Sequence, residues 1–228
     1  MVFFQKSENE LNLDEGRMCL NFLNTMDWHA SAQPEETLHT YTDLVNWAES
    51  ISLFSNNESS RLLEAAGKDH ELAKNALQKA VAVREAMFNI VSANSNQIPF
   101  ASADLNVIND ARIESLAHTR IVSTIDGFSL GWESDSGSLD SILWQIVHSI
   151  VELMVSPEFQ FAKICADDRG CGWAFLDLSH NHNRRWCSMK SCGNRAKAQR
   201  HYQKVTSGSS PTSPSPSVSV LTAAVIQP

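Results

Sequence analysis

Four cysteines crowd one short stretch of this 228-residue chain: Cys165, five residues, Cys171, then fifteen residues, Cys187, four residues and Cys192. Two close thiol pairs separated by about 15 to 20 residues are the pattern of a structural zinc, because each pair wraps one side of a tetrahedron and the stretch between them can be a hairpin. The start, Met-Val-Phe-Phe-Gln-Lys-Ser-Glu, has polar and charged residues where a signal peptide would have an apolar run, so a cytoplasmic location is expected and disulfides are not. The redox motif Cys-x-x-Cys is absent, and four thiolates would leave no open position for catalysis at the metal. One structural Zn²⁺ is the expectation, with His180, His182 and His201 each able in principle to replace one cysteine. Cys19 lies among core-type residues and reads as packing rather than as a redox sensor.

The charge divides at the same place. Residues 1 to 162 carry nine basic residues against 23 acidic ones, whereas residues 163 to 204 carry nine basic against three acidic, within an overall net charge of −8. A basic segment of this kind usually meets a polyanion. A zinc held by four thiolates is itself a dianion, so part of the excess serves the metal. At 100° per residue Cys192, Arg195, Gln199 and Tyr202 share a face directed at the metal, and Lys197, Arg200, His201 and Lys204 share the solvent face. Arg195 is thus expected to be the more structural cation. Lys197, Arg200 and Lys204, with Arg184 and Arg185 beside the second pair, are the expected phosphate contacts.

These residues need elements to hold them. Gly172 to Asp177 alternates like a strand, and Gly193 to Lys204 is helix-forming, which gives a treble-clef-like order of knuckle, β-hairpin and helix, the first turn of that helix supplying the last ligand. Upstream, residues 1 to 160 read as a mainly α domain with one small antiparallel β-hairpin. Helices are expected over Arg17 to Trp28, from Thr40 or Thr42, from Ser59 or Ser60, over His70 to Ser95 with Leu72 and Leu77 in its apolar stripe, around Leu105 to Ala111, and from Ser138 or Asp140 to Pro157. The hairpin is expected within Ile121–Trp132, around Asp126-Gly127. Chelation is expected to melt residues 163 to 204 and leave the helical domain standing. Residues 205 to 228, uncharged and rich in Ser and Pro, read as a disordered tail. No apolar run is long enough to span a bilayer.

The run Arg184-Arg185-Trp186-Cys187-Ser188-Met189-Lys190-Ser191-Cys192-Gly193-Asn194-Arg195-Ala196-Lys197 resembles the CGNR zinc-finger family, and Cys171-Gly172-Trp173-Ala174-Phe175-Leu176-Asp177 is similar to the same family upstream. The family often has Leu at the place of Ala174, and Thr-Ser-Arg-Asn at the place of Leu178-Ser179-His180-Asn181. Cys19-Leu20-Asn21-Phe22-Leu23-Asn24-Thr25-Met26-Asp27-Trp28 and Gly127-Phe128-Ser129-Leu130-Gly131-Trp132 are similar to the ABATE domain that accompanies that finger. The resemblance covers residues 12 to 204. It implies Cys165, Cys171, Cys187 and Cys192 as zinc ligands, a signature containing Asn194 and Arg195, and a bacterial stress-induced transcription regulator with the finger as its DNA-binding part.

The leading expectation is a DNA-binding transcriptional regulator, with double-stranded DNA held by Arg184, Arg185, Lys190, Asn194, Arg195, Lys197, Arg200 and Lys204. Its acidic domain would sense a small-molecule effector or form a homodimer. Asn24, Thr25, Asp27 and Trp28, with Asn21, are candidates to line an effector pocket. The alternative is a protein-interaction adaptor whose finger is a scaffold for an acidic partner. An enzyme is not expected: His70-Glu71-Leu72-Ala73-Lys74 has Lys74 where a zinc protease has its second histidine.

Overall fold

The computed structural model describes residues 18–124, 127–132 and 137–207. Helix α1 (Met18–Leu23) buries Cys19, Leu20, Phe22 and Leu23. It is half the expected length, because Thr25 turns its hydroxyl back onto the Phe22 carbonyl at 2.7 Å and Asn24 is drawn away toward a later strand. Met26–Asp27 (β1) then pairs with Glu35–Glu36 (β2), a bridge the alternation did not announce.

Helices α2 (Tyr41–Ser50) and α3 (Asn56–Lys68) each begin with a reciprocal capping box, Thr40 with Asp43 and Ser55 with Glu58. In such a box a hydroxyl and a carboxylate satisfy N–H groups that the first turn would otherwise strand. Ser59, read as a cap, is instead a buried residue inside α3.

Helix α4 (His70–Ser95) is the central element, capped by Asp69, and it packs against α1, α2, α3, α5 (Ser102–Ala117) and α6 (Ser141–Met154). Its buried stripe runs through Ala73, Ala76, Ala80, Val83, Met87, Ile90 and Val91. Leu72, expected in that stripe, is 53% exposed, so the buried face is set by the small alanines that let α4 approach its neighbours. Strands β3 (Thr119–Thr124) and β4 (Gly127–Trp132) form the expected antiparallel hairpin; Gly127, expected in the turn, is a strand residue opposite Thr124, and positions 125–126 lie outside the described residues. At α6, Asp140 occupies the cap position without capping, its carboxylate accepting from Lys79 Nζ at 2.7 Å.

After a 3₁₀ turn (Pro157–Phe161), β5 (Ala162–Ile164) pairs antiparallel with β6 (Ala174–Leu176). The hairpin of the finger therefore encloses the first thiol pair's knuckle instead of filling the stretch between Cys171 and Cys187. Ala162, Ala174 and Leu176 belong to the same continuous core as the helices, and β5 packs on α4. A single turn of π-helix (Met189–Gly193) leads into α7 (Asn194–Ser207). Cys192 thus sits in a wound turn just ahead of α7 rather than in its first turn. The expected tail lies mostly outside the described residues, and its first three positions, 205 to 207, continue α7.

Candidate metal centre

The first knuckle hangs between β5 and β6, fixed by the Cys165 N–H on the Trp173 carbonyl at 2.8 Å. The second is held beside it by the Ala166 N–H on the Arg185 carbonyl at 2.8 Å, and a hydroxyl at Ser188 caps the π turn that carries Cys192. The four sulfurs of Cys165, Cys171, Cys187 and Cys192 all lie within 4.8 Å of one another. Cys171 and Cys187 are 3.8 Å apart at Sγ, and Cys187 and Cys192 are 3.7 Å apart. Sulfurs about 2.3 Å from a tetrahedral zinc stand about 3.8 Å from each other, so the donor set fits one such ion in size as well as in chemistry. A structural Zn²⁺ is what this centre holds.

Charge at the sulfurs is arranged in advance. Without metal, hydrogen bonds from Cys171 and then Cys187 draw the Cys165 thiol down, and the bond to Cys165 pushes Cys171 and Cys187 up. Burial, followed by the charge on Cys165, raises Cys192. These contacts favour the thiolate at Cys165 and the thiol at the other three. The Cys187 N–H points at Cys165 Sγ at 3.4 Å, and Arg195 Nη2 donates to Cys192 Sγ and to Asp167 Oδ2, each at 2.8 Å. Asp167 comes from the loop between Cys165 and Cys171.

A second support lies under the knuckles. Asp177 is fully buried and accepts from Lys163 Nζ at 2.7 Å, from the Arg184 N–H at 2.8 Å and from Ser179. Burial works against its charge, but Lys163, Ser179 and the Arg184 N–H outweigh it and hold the carboxyl at about 2. The expected cations therefore divide. Arg195 serves the sulfur, and Arg184 donates to the Cys187 carbonyl at 2.7 Å while lying over the Phe175 ring. Asn194 spends its amide on the Lys190 carbonyl. Arg185, Lys190, Lys197, Arg200 and Lys204 are exposed, and among the described residues none pairs with a carboxylate. Arg185 and Arg200 both lie over the Trp186 ring, at 5.6 and 5.7 Å. Gln199 and Tyr202, placed on the metal face by helical angle, are exposed, Ala196 being the last buried residue along the described part of α7.

Asn24, Thr25, Asp27 and Trp28 do come together, around groups of the chain itself. Asn24 exchanges two hydrogen bonds with the Ala174 backbone, at 2.8 and 3.0 Å, and Asp27 accepts from Trp173 Nε1 at 2.8 Å. The Trp28 ring faces the guanidinium groups of Arg169 and Arg195 at 5.5 and 5.2 Å. Gly170 and Gly172 have positive φ and press on this loop so closely that a Cβ on either would lie 2.5 Å from the backbone of Ser31 or Ala30. Beneath the loop, fully buried Arg84 holds Glu36 through two hydrogen bonds, at 2.7 and 2.5 Å, and donates to Thr25 and to Glu85. Burial disfavours the Glu36 charge, and Arg84 outweighs it, leaving the carboxyl below its usual range. This bracing pair went unread in the sequence, although an arginine within the apolar stripe of α4 was its visible signal. Cys19 is fully buried in the core, as a packing residue would be.

The ABATE family model, described as "Putative stress-induced transcription regulator", matches residues 16–157. The chain belongs to the ABATE family. A second model, the CGNR zinc finger, matches residues 162–205 and so contains all four cysteines. Neither is an enzyme family. No curated protein matches the chain. The described ABATE helices include none long and apolar enough to cross a membrane.

Proposed function

We propose that this ABATE protein is a zinc-dependent transcriptional regulator whose finger binds the phosphates of duplex DNA. One observation carries the reading: once the cations that serve the zinc centre, and Arg169 over the Trp28 ring, are set aside, five remain on the outside of the metal-anchored unit without an acidic partner among the described residues. Solubility does not require so many on so small a surface, and a phosphate backbone is the chemistry that uses them. The family description agrees with that use. Residues 1 to 162, with their large acidic excess, repel DNA and must lie away from the duplex or restrain the finger.

The test is a salt titration of duplex binding by the zinc-loaded full chain. Five phosphate contacts give a log–log slope of about −4.5. Binding that ignores salt, or no binding to any duplex, would overturn the proposal and leave an acidic protein partner as the reading of the same cations.

A further inference from the structure

The helical module has an open cleft of about 500 Å³ at the meeting of the α2 N-terminus, the last turns of α3 and the first two turns of α4. Its walls are apolar, made by Leu63, Ala66, Ala73 and Leu77. Its exposed rim carries His39, His70 and Lys74, and no carboxylate lines it. That is a notable exclusion in a region holding 23 acidic residues against nine basic ones. The volume falls in the range of small-molecule sites, about 300 to 1,000 Å³, and such sites combine an apolar body with a few polar groups that fix orientation. Asp43 and Asp69 already cap α2 and α4, so the preference for negative charge comes from the rim side chains more than from the helix ends.

We propose that this cleft binds a small amphipathic organic anion, a carboxylate with an aromatic or short aliphatic body. The hydrocarbon lies along Leu63 and Leu77, and the carboxylate meets Lys74 with the imidazoles of His39 and His70. The site lies apart from the finger's cations and stands whether or not the finger binds DNA.

Gly67 supplies a clean test, because a Cβ built there meets nothing within 4 Å. Gly67→Leu therefore places a side chain in open space at the cleft and improves helix propensity in α3. The probe is octanoate, titrated calorimetrically into the zinc-loaded full chain, with octylammonium as the same body bearing the opposite charge. Octanoate should bind saturably with one-to-one stoichiometry, and octylammonium should not. Gly67→Leu should weaken octanoate roughly tenfold or more by occupying the cleft. Lys74→Glu, a surface change that leaves the core intact, should weaken it by about fivefold or more through charge reversal. Absence of saturable octanoate binding, equal binding of octylammonium, or octanoate binding unchanged in both variants would each overturn the proposal. The last result would place the anion outside the cleft.

Discussion

Arg195 and Cys192 are joined directly: one guanidinium nitrogen reaches the thiol sulfur at 2.8 Å and shares itself with the Asp167 carboxylate. The arginine of the Cys-Gly-Asn-Arg run is thus a partner of the metal centre, and its other side lies over Trp28 of the helical domain. The same side chain offsets charge on a ligand and ties the finger to the module beneath it.

Replacing that arginine should be felt first at the metal. Outer partners of ligands are worth about 10- to 100-fold in metal affinity, so Arg195→Ala should lose zinc to a competing chelator at concentrations in that proportion below those needed for the wild type. Arg195→Lys should recover only part, because an ammonium lacks the planar fork that serves sulfur and carboxylate together. Unchanged zinc retention in Arg195→Ala would remove the arginine from the centre.

Zinc removal should not melt the whole segment from 163 to 204. Ala162, Ala174 and Leu176 lie in the helical core, whereas Cys165, Cys171, Phe175 and Cys192 form a small separate cluster with Trp173 and Trp186 around the metal. Hydrogen exchange after chelation should show lost protection over the two knuckles and α7, with amides of β5, β6 and α4 still protected. Loss of protection in β5 and β6 together with the knuckles would mean that the shared core does not hold the hairpin.

Metal binding should release protons in a count set by the sulfurs. With Cys171, Cys187 and Cys192 raised in the metal-free state, zinc must displace protons from thiols as it binds. Affinity therefore falls as pH falls, because the thiols must lose their protons to bind the metal. Asp177, held at about 2, keeps its charge through that range, so acid release of zinc reports the thiols and not the bracing carboxylate. Chelator competition between pH 8 and pH 5.5 measures the slope, and a slope near zero would contradict the proton inventory.

Arg84 is the buried group on which the docking loop rests. Arg84→Met removes the guanidinium and leaves Glu36 without its partner; breaking a fully buried pair from one side costs about 3 to 5 kcal/mol, and with the Glu36 side chain 26% exposed the loss falls toward the lower end. Urea unfolding of the zinc-loaded protein at pH 7 should show a loss in that range. The double variant Arg84→Met, Glu36→Gln should recover part of it, since the stranded charge is then gone.

What the sequence disclosed and what it withheld have separate physical causes. The thiol spacing specified the ligand set because a tetrahedron restricts how two short loops can meet, and the cap at Thr40 was visible because capping is local. The strand partner of Ala174–Leu176 was hidden, since pairing with Ala162–Ile164 across the first knuckle is a non-local choice that β propensity does not specify. Helical angle placed Arg195 correctly and Tyr202 wrongly for one reason: the angle gives a face, while burial also requires that the neighbour extend that far. Asn24 and Asp27 looked like pocket residues because polar groups beside an apolar face read alike whether they await a ligand or another part of the chain.

The exposed cations should report DNA contact one by one. Lys197→Ala, Arg200→Ala and Lys204→Ala each remove a charge without touching the sulfurs, so each should reduce the salt slope of duplex binding by about one while zinc content stays constant. Arg200 carries a further signature, because its guanidinium lies over Trp186 together with that of Arg185. Trp186→Leu should weaken binding by freeing both arginines to wander, and Trp186→Phe should restore part of the loss, since a phenyl face still attracts a cation. Such a partial rescue separates orientation of the arginines from simple loss of packing around the finger. If Trp186→Phe and Trp186→Leu bind the duplex equally while both retain zinc, the ring does not orient the pair.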